Sequence, residues 1–495
     1  MRILFLNPQG NFDRNDSFWT EHPDFGGQLV YVKEIAMSIA KLGHKVDIVT
    51  RKFEDETFDC FNQTFDFYKN IDNLRIVRIP CGPNTFVQKE HLWEYLAEWV
   101  DHINDFYKSN NEPFDFITTH YGDGGLAGAM LSKKTNVPFS FTGHSLGAQK
   151  MDKLNVSHEN IHALNQKYQF SKRLLAERIS MIYASKIFVS TKQERDEQYK
   201  HPAYVNAGDV KNPEKFVVAP PGANTEMFSK SKPNDIEESV YQLLDNQLKR
   251  DISSDRVTLP YIVAASRLDP KKNHSGLLKA YASSPTLQSI ANIAISLRGI
   301  ENAFADISPL KETEQLIMID LFKIIDDYQL HGKVAFINIT SQKALAASYR
   351  YFASKHSVFA LTALYEPFGL APIEAMSAGL PAAVTKYGGP SEVLKENEET
   401  FGVLLDVHDL DKTAHGLIQV FKHYDYYQKQ GLKRVQSTYT WDATANTYIE
   451  AIKECLSKRE HQLINIPDYF DNPNEDNDFK LDPIINHYFP RKKTR

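Results

Sequence analysis

Two glutamates eight positions apart, Glu366 and Glu374, bracket the segment Glu366-Pro-Phe-Gly-Leu-Ala-Pro-Ile-Glu374 and could act as paired acceptors for sugar hydroxyls. The apolar run 358–361 before them reads as a buried strand and Glu366-Pro-Phe-Gly369 as a turn. Leu370 to Met376 reads as a helix that tolerates Pro372 in its first turn and stops at Gly379-Leu-Pro381. One carboxylate then precedes the helix and the other lies within it. Eight helical residues rise roughly 12 Å, comparable to the span from a hexose across a diphosphate to a ribose. The free N–H groups at the helix start favour phosphate between them. Without the strand, turn and glycine, the pair would read as solvated glutamates near a helix end. With them, the pattern is that of a sugar-nucleotide site.

Other chemistry-bearing residues also follow apolar runs. Arg267, Lys271 and Lys272 lie in Ser266-Arg-Leu-Asp-Pro-Lys-Lys-Asn-His274, just before a helix, where they could neutralise a diphosphate that gains charge as a glycosidic bond breaks. Solvated charge at a helix entry is the alternative. In Asp24-Phe-Gly-Gly-Gln28, Gly27 could let the backbone approach a phosphate closely, or could simply make a tight turn. Gly143-His-Ser-Leu-Gly-Ala-Gln-Lys150 offers an imidazole, a hydroxyl and an ammonium together; His144 could contact a sugar hydroxyl or be a satisfied structural histidine. Lys89, Lys150, Lys172, Arg173 and Arg178 would bind a second phosphate if they converge, and otherwise are solvated helical cations.

Two motifs point elsewhere and fail on spacing. Gly122-Asp-Gly-Gly-Leu-Ala127 matches the dinucleotide pattern G-x-G-x-x-A, but no acidic residue stands between Asp123 and Asp152 to hold a ribose. Asp409-Leu-Asp411 resembles a phosphatase or metal-binding pair, yet too little chain follows for such a domain, and an Asp-capped helix explains it. No metal and no cofactor are expected.

These residues need a frame of strand ends. Apolar runs at Ile3 to Leu6, Val46 to Thr50, Phe116 to Thr119, Phe139 to Thr142, Lys186 to Ser190 and Phe216 to Ala219 alternate with helical patterns, the first from about Leu29 to Leu42. A second series follows at Tyr261 to Ala265, Ile293 to Leu297, Val334 to Ile337, Val358 to Leu361 and Ala382 to Thr385. Such alternation predicts an α/β fold, two Rossmann-like domains with parallel sheets and a cleft at their strand ends. The first domain is expected over 1–225 and the second over 226–439. A late helix at about 440–458, with Thr440 as its N-cap, rejoins the first. Residues 460–495 form a tail, disordered or docked on the surface.

At 495 residues the chain exceeds what one hydrophobic core supports. Its net charge of −6 gives no electrostatic reason to expect nucleic acid. Three widely spaced cysteines fit a reducing compartment and exclude a multi-cysteine metal site. The apolar start Met1 to Asn7 is too short for a signal peptide, and no run approaches 18 apolar residues, so a cytoplasmic protein without a membrane partner is expected.

The chain resembles the retaining glycosyltransferases of the GT-B fold, most closely the sucrose-phosphate synthases of the sucrose synthase group, over about residues 1 to 455. The resemblance is carried by Gly26-Gly-Gln-Leu-Val-Tyr-Val-Lys-Glu34, Thr118-Thr-His-Tyr-Gly-Asp-Gly-Gly125, Phe141-Thr-Gly-His-Ser145, Ser266-Arg-Leu-Asp269 with Lys271-Lys-Asn273, and Tyr365-Glu-Pro-Phe-Gly-Leu-Ala-Pro-Ile-Glu374. It implies transfer of glucose from UDP-glucose to fructose 6-phosphate with retention, giving sucrose 6-phosphate and UDP. By it, Glu374 would bind the ribose, while Glu366 and the backbone of Phe368, Gly369 and Leu370 would hold the hexose and phosphates. Arg267 and Lys272 would stabilise the departing diphosphate, Gly27 would approach its β-phosphate, and His144 would contact the donor sugar. Gln28, Lys89, Ser145, Lys150 and Arg173 would form the fructose 6-phosphate pocket, making the first domain the acceptor side and the second the nucleotide-sugar side. Position 172 is Lys where the resemblance leads one to expect Arg, and the tail has no counterpart. Unphosphorylated fructose as acceptor, as in sucrose synthase, or GDP-mannose as donor, as in mannosylfructose-phosphate synthase, stays open. So does a sugar-nucleotide binder without turnover.

Overall fold

The computed structural model describes residues 1–18, 24–25, 27–208, 212, 214–458, 462–471 and 487–489. They form two compact units. One is Met1–Pro220 together with the described chain from Thr444 on, the other Pro221–Ala443.

The first unit is built on an eight-stranded sheet in the order Phe65–Asp66, Leu74–Pro80, Lys45–Lys52, Arg2–Leu6, Phe116–His120, Phe139–Thr142, Lys186–Val189, Phe216–Val218. Every pair is parallel except the short edge pair Phe65–Asp66 with Leu74–Pro80. Parallel neighbours need crossovers, and helices such as Gly27–Lys41, Leu96–Ser109 and Tyr121–Thr135 supply them. Covered on both faces, the central strands are apolar along their length, with Leu4, Leu6, Ile117, Phe139, Phe141 and Ile187 packing on Trp99, Leu126 and Ile179. The strand order reverses at Arg2–Leu6, flanked by Lys45–Lys52 on one side and Phe116–His120 on the other. At such a reversal the crossovers leave in opposite directions, and a crevice opens at the carboxyl ends of the strands.

Leu74–Pro80 is a strand that the apolar runs do not reveal, because Arg75 and Arg78 interrupt it. Arg78 is fully buried, donating to Asn11 Oδ1 at 3.1 Å and to the carbonyls of Gln63 and Phe12 at 3.0 and 2.5 Å. Arg75 pairs with Asp47 at 2.6 Å. Fully partnered charge can enter a sheet that unpartnered charge could not.

The second unit holds a parallel six-stranded sheet in the order Val334–Asn338, Asn292–Leu297, Tyr261–Ala264, Val358–Leu361, Ala382–Thr385, Val403–Leu405. Alternate residues serve opposite layers: Tyr261 and Val263 join the core with Ile373 and Val393, whereas Ile262 and Ala264 join the one with Leu277 and Leu321. Here the order reverses between Tyr261–Ala264 and Val358–Leu361.

The helix Trp441–Ser457 starts with Thr440 Oγ1 accepting from Ala443 N–H at 3.1 Å. Within the first unit its Tyr448 ring stacks on Phe188 at 3.6 Å, and the Tyr448 hydroxyl lies 3.1 Å from both the Tyr31 and Thr142 hydroxyls. Beyond it, Ile464, Ile466 and Phe470 are buried in the first unit's core, and Lys133 pairs with Asp471 at 2.7 Å. Gly26 and most of the expected tail, residues 459–461, 472–486 and 490–495, lie outside the described residues. Among the described residues no helix is long and apolar enough to cross a membrane.

Candidate active site

In the second unit, the loops leaving the two strands at the reversal are tied together. Buried His274 secures the first, its Nε2 lying 3.2 Å from Ser266 Oγ and 3.3 Å from the Arg267 carbonyl. Asp269 then accepts from Lys271 N–H at 2.8 Å, capping the short turn Pro270–Lys272. Leu364 N–H donates to the Lys271 carbonyl at 2.9 Å, and Thr362 Oγ1 to the Asn273 carbonyl at 3.0 Å. Lys272 Nζ thereby reaches Glu366 Oε2 at 2.6 Å. Arg267 is exposed, and its guanidinium makes no hydrogen bond or ion pair among the described residues.

Backbone from a third loop fixes Glu366. Its N–H donates to the Tyr387 carbonyl at 3.0 Å, and its own carbonyl accepts from Gly389 N–H at 3.0 Å. Gly388 has φ +108°, and a Cβ there would stand 2.0 Å from the Glu366 carbonyl oxygen, so no side chain fits. Gly369, at φ +88°, turns the chain into the helix Leu370–Ser377, and the Phe368 ring lies 6.0 Å from that of Tyr439. Glu374 sits inside this helix. Its carboxyl accepts no hydrogen bond from the described residues, and burial pushes its pKa up to about 7. Hydroxyl donors from a bound ligand would stabilise the ionised form of such a carboxyl.

In the first unit, Gly27 opens the helix Gly27–Lys41, and no described residue comes within 4 Å of where its side chain would stand. Gln28 Nε2 donates to Asn7 Oδ1 at 2.6 Å, at the end of the strand where the order reverses. On the second strand over, His144 occupies a three-residue turn, with Ser145 N–H donating to the Gly143 carbonyl at 2.6 Å and φ at +55°. Left-handed backbone costs a non-glycine residue roughly 1–2 kcal/mol, so the surroundings must impose it. They do: His144 Nε2 lies 2.9 Å from His120 Nδ1, and its ring meets Tyr31 edge-on at 4.9 Å. Burial pushes the His144 pKa down to about 3, so the ring is neutral.

Arg173 braces the same turn. Its guanidinium donates to the Ser145 carbonyl, its Nε to Glu177 Oε1 at 2.9 Å, and its face lies 4.5 Å from the Tyr121 ring. Fully buried Glu177 also accepts from Gly147 N–H at 2.9 Å and from the Tyr204 hydroxyl. Lys89, Tyr121, Asp123, Tyr168 and Arg173 line one pocket. Lys89 is paired with Asp24; burial alone would lower its pKa, but that pairing outweighs it and the pKa is raised. Lys150 Nζ stands 4.0 Å over the Tyr168 ring, its pKa lowered by burial and by Arg173. Asp123 Oδ2 and Trp93 Nε1 are buried in the pocket wall without partners among the described residues, and burial pushes Asp123 up to about 7. The pocket is small, about 10 Å³, and brings together two cations, the Glu90 carboxylate, an unused acceptor and an unused donor.

The Ser145 side chain is exposed and only its backbone is tied in. Lys172 lies 3.7 Å from Glu94, and Arg178 donates to the carbonyls of Ala203 and Val205 at 2.6 and 3.0 Å. The expectation that these helical cations face water fails at Arg173 and Arg178, which are buried because carboxylate or carbonyl oxygens wait for them. His120, Tyr121, Asp123 and Glu177 carry no role in the sequence reading, although the first three fall inside the segment Thr118 to Gly125. Tyr121, with φ +69°, sits at the end of a strand beside His144's, a strain visible only in the backbone.

Both rejected motifs have structural duties. A Cβ on Gly124 would meet the Leu6 carbonyl oxygen at 2.7 Å, and one on Gly128 the Thr119 side chain at 2.3 Å, so these glycines let a helix press onto strands. Asp409 accepts from Lys412 N–H at 3.0 Å as the cap of Leu410–Lys422.

Residues 245–433 match the family described as glycosyl transferases group 1, and residues 1–243 match the sucrose synthase first GT-B domain. A probable sucrose-phosphate synthase of Thermosipho melanesiensis is 41% identical over 472 residues, covering 95% of this chain and 99% of that protein. Probable sucrose-phosphate synthase 1 of Oryza sativa subsp. indica is 30% identical over 510 residues, 90% of this chain but 45% of that protein, so the chain spans less than half of this plant relative. Among solved structures, the sucrose-phosphate synthase of Thermosynechococcus elongatus superposes with a TM-score of 0.62 at 22% identity, covering 92% of this chain and 100% of the other. Anabaena Alr3699/HepE in complex with UDP gives 0.59 at 17% identity with the same coverage. These likenesses show the GT-B fold, two Rossmann-like domains.

Proposed function

The chain belongs to the sucrose-phosphate synthase family, retaining glycosyltransferases of the GT-B fold, and on that premise we propose that it transfers glucose from UDP-glucose to fructose 6-phosphate, yielding sucrose 6-phosphate and UDP. The observation that carries the acceptor assignment is the pocket of Lys89 and Arg173, with Lys150 over the shared Tyr168 ring. An acceptor phosphate would compete for these cations with the carboxylates they now face, Asp24 at Lys89 and Glu177 at Arg173. For the donor, Glu374 takes the ribose hydroxyls, Glu366 the hexose, and the start of Leu370–Ser377 the phosphates, as the Anabaena protein's complex with UDP encourages for a chain of the same fold.

In the reaction the bond from the glucose anomeric carbon to the β-phosphate oxygen breaks, and a bond to the acceptor hydroxyl oxygen forms on the same face. The acceptor proton goes to the departing phosphate oxygen, so no protein base is required. Arg267 and Lys272 meet the charge that grows on the diphosphate, the cation that now pairs with Glu366 being shared with the leaving group. His144 contacts the donor sugar, and Gln28 and Ser145 the ketose.

Purified protein is expected to form sucrose 6-phosphate from this substrate pair, and a panel of UDP- and GDP-sugars with fructose or fructose 6-phosphate checks it. Lys150→Ala is expected to raise the acceptor KM on the order of tenfold, the scale of a charge-assisted hydrogen bond, and to leave the donor KM unchanged. Preference for free fructose or for GDP-mannose would replace the substrate assignment.

A further inference from the structure

His120 touches no candidate substrate group, yet it is completely buried at the end of Phe116–His120. Its ring stacks on Phe5 at 5.6 Å and 10° and on His144 at 5.2 Å and 29°. Nδ1 lies 2.9 Å from His144 Nε2, while Nε2 is buried with no partner among the described residues. We propose that His120 is a positioning residue that sets the tautomer of His144: His120 Nδ1–H donates to His144 Nε2, which leaves the His144 proton on Nδ1, available to a substrate oxygen.

Two imidazole nitrogens at hydrogen-bond distance share one proton between them. If His144 supplied it, His120 would carry its own proton on Nε2, a buried N–H with no acceptor among the described residues. If His120 supplies it, only a bare lone pair is left at Nε2. Orphaned buried N–H groups are the rarer of the two defects. Burial holds both rings neutral, so neither escapes the choice by taking a second proton. His144 Nδ1 has no protein partner among the described residues, and the bond its Nε2 makes decides what that nitrogen can do. Resting on the sugar contact proposed above for His144, the pair gives that contact a direction: His144 donates to a hydroxyl or ring oxygen and does not accept.

Selective 15N-histidine labelling of the full chain, with long-range proton–nitrogen spectra assigned through a His144 variant, reads the tautomer directly. Wild type is expected to carry the proton on His144 Nδ1. His120→Asn places an amide N–H where Nδ1 stands and is expected to keep that tautomer and most of the turnover. His120→Phe keeps the stack on Phe5, loses the donor, and is expected to let His144 mix tautomers, with kcat lower on the order of tenfold at little change in either KM. A wild-type proton on His144 Nε2, or a tautomer unmoved in His120→Phe, overturns the proposal. Absence of turnover with every sugar nucleotide would instead defeat the functional assignment, while the spectra still decide the tautomer.

Discussion

Glu374 and Asp123 are acids whose pKa burial has raised to about 7, from ordinary values of 4.5 and 3.8. Between those values the folded chain keeps protons that the unfolded chain has released. Stability from this source is therefore fully present below about pH 4 and is lost as pH rises through about 7. The melting temperature of the ligand-free protein is expected to fall between pH 5 and pH 8, and to fall less steeply in Glu374→Gln; an unchanged slope would show that Glu374 titrates normally. Saturating UDP should also flatten the slope, because ribose hydroxyls supply the donors that the ionised carboxylate lacks. At this scale the sequence marked charges that follow apolar runs, and the fold brings two of them, Lys272 and Glu366, into contact while Arg267 stays exposed. The sequence was opaque where charge is buried: Arg173 and Glu177, four apart on one helix, look like a solvated pair and are instead the brace of the His144 turn.

What strands and turns contribute is placement, and glycine decides whether three loops can meet at Glu366. Gly388→Ala is expected to destabilise the second unit by about 1–3 kcal/mol and to weaken UDP binding on the order of tenfold, since the new methyl group displaces the Glu366 carbonyl. Gly43 is the matching control. Its φ is +88°, but a Cβ there meets nothing within 4 Å among the described residues, so Gly43→Ala is expected to cost about 1 kcal/mol without touching affinity. Calorimetry with titration of UDP separates the two; equal affinity loss in both would point to global strain. The runs at Ile3, Phe116, Phe139, Tyr261 and Val358 mark the strands that carry the candidate site, because strands covered on both faces are written in continuous apolar residues. Leu74–Pro80 escaped that rule through its two arginines.

Each unit encloses its own hydrophobic clusters, so unfolding is expected to show two transitions. UDP should raise one and fructose 6-phosphate the other, by mass action on the unit that binds each. If either ligand alone shifted both equally, the division of donor and acceptor between units would be wrong. The division also depends on Tyr448, whose ring and hydroxyl hold Phe188, Tyr31 and Thr142, and through Tyr31 the edge of His144. Because that tyrosine is encoded more than 200 residues after Pro220, the order of assembly during translation is inverted. The uninterrupted segment 221–443 can complete its core while the ribosome still holds the chain, whereas the earlier-made unit must wait with a gap beside Phe188 until residues 444–457 emerge. Nascent chains stalled with 443 residues exposed should accordingly protect the later segment from protease before the earlier one.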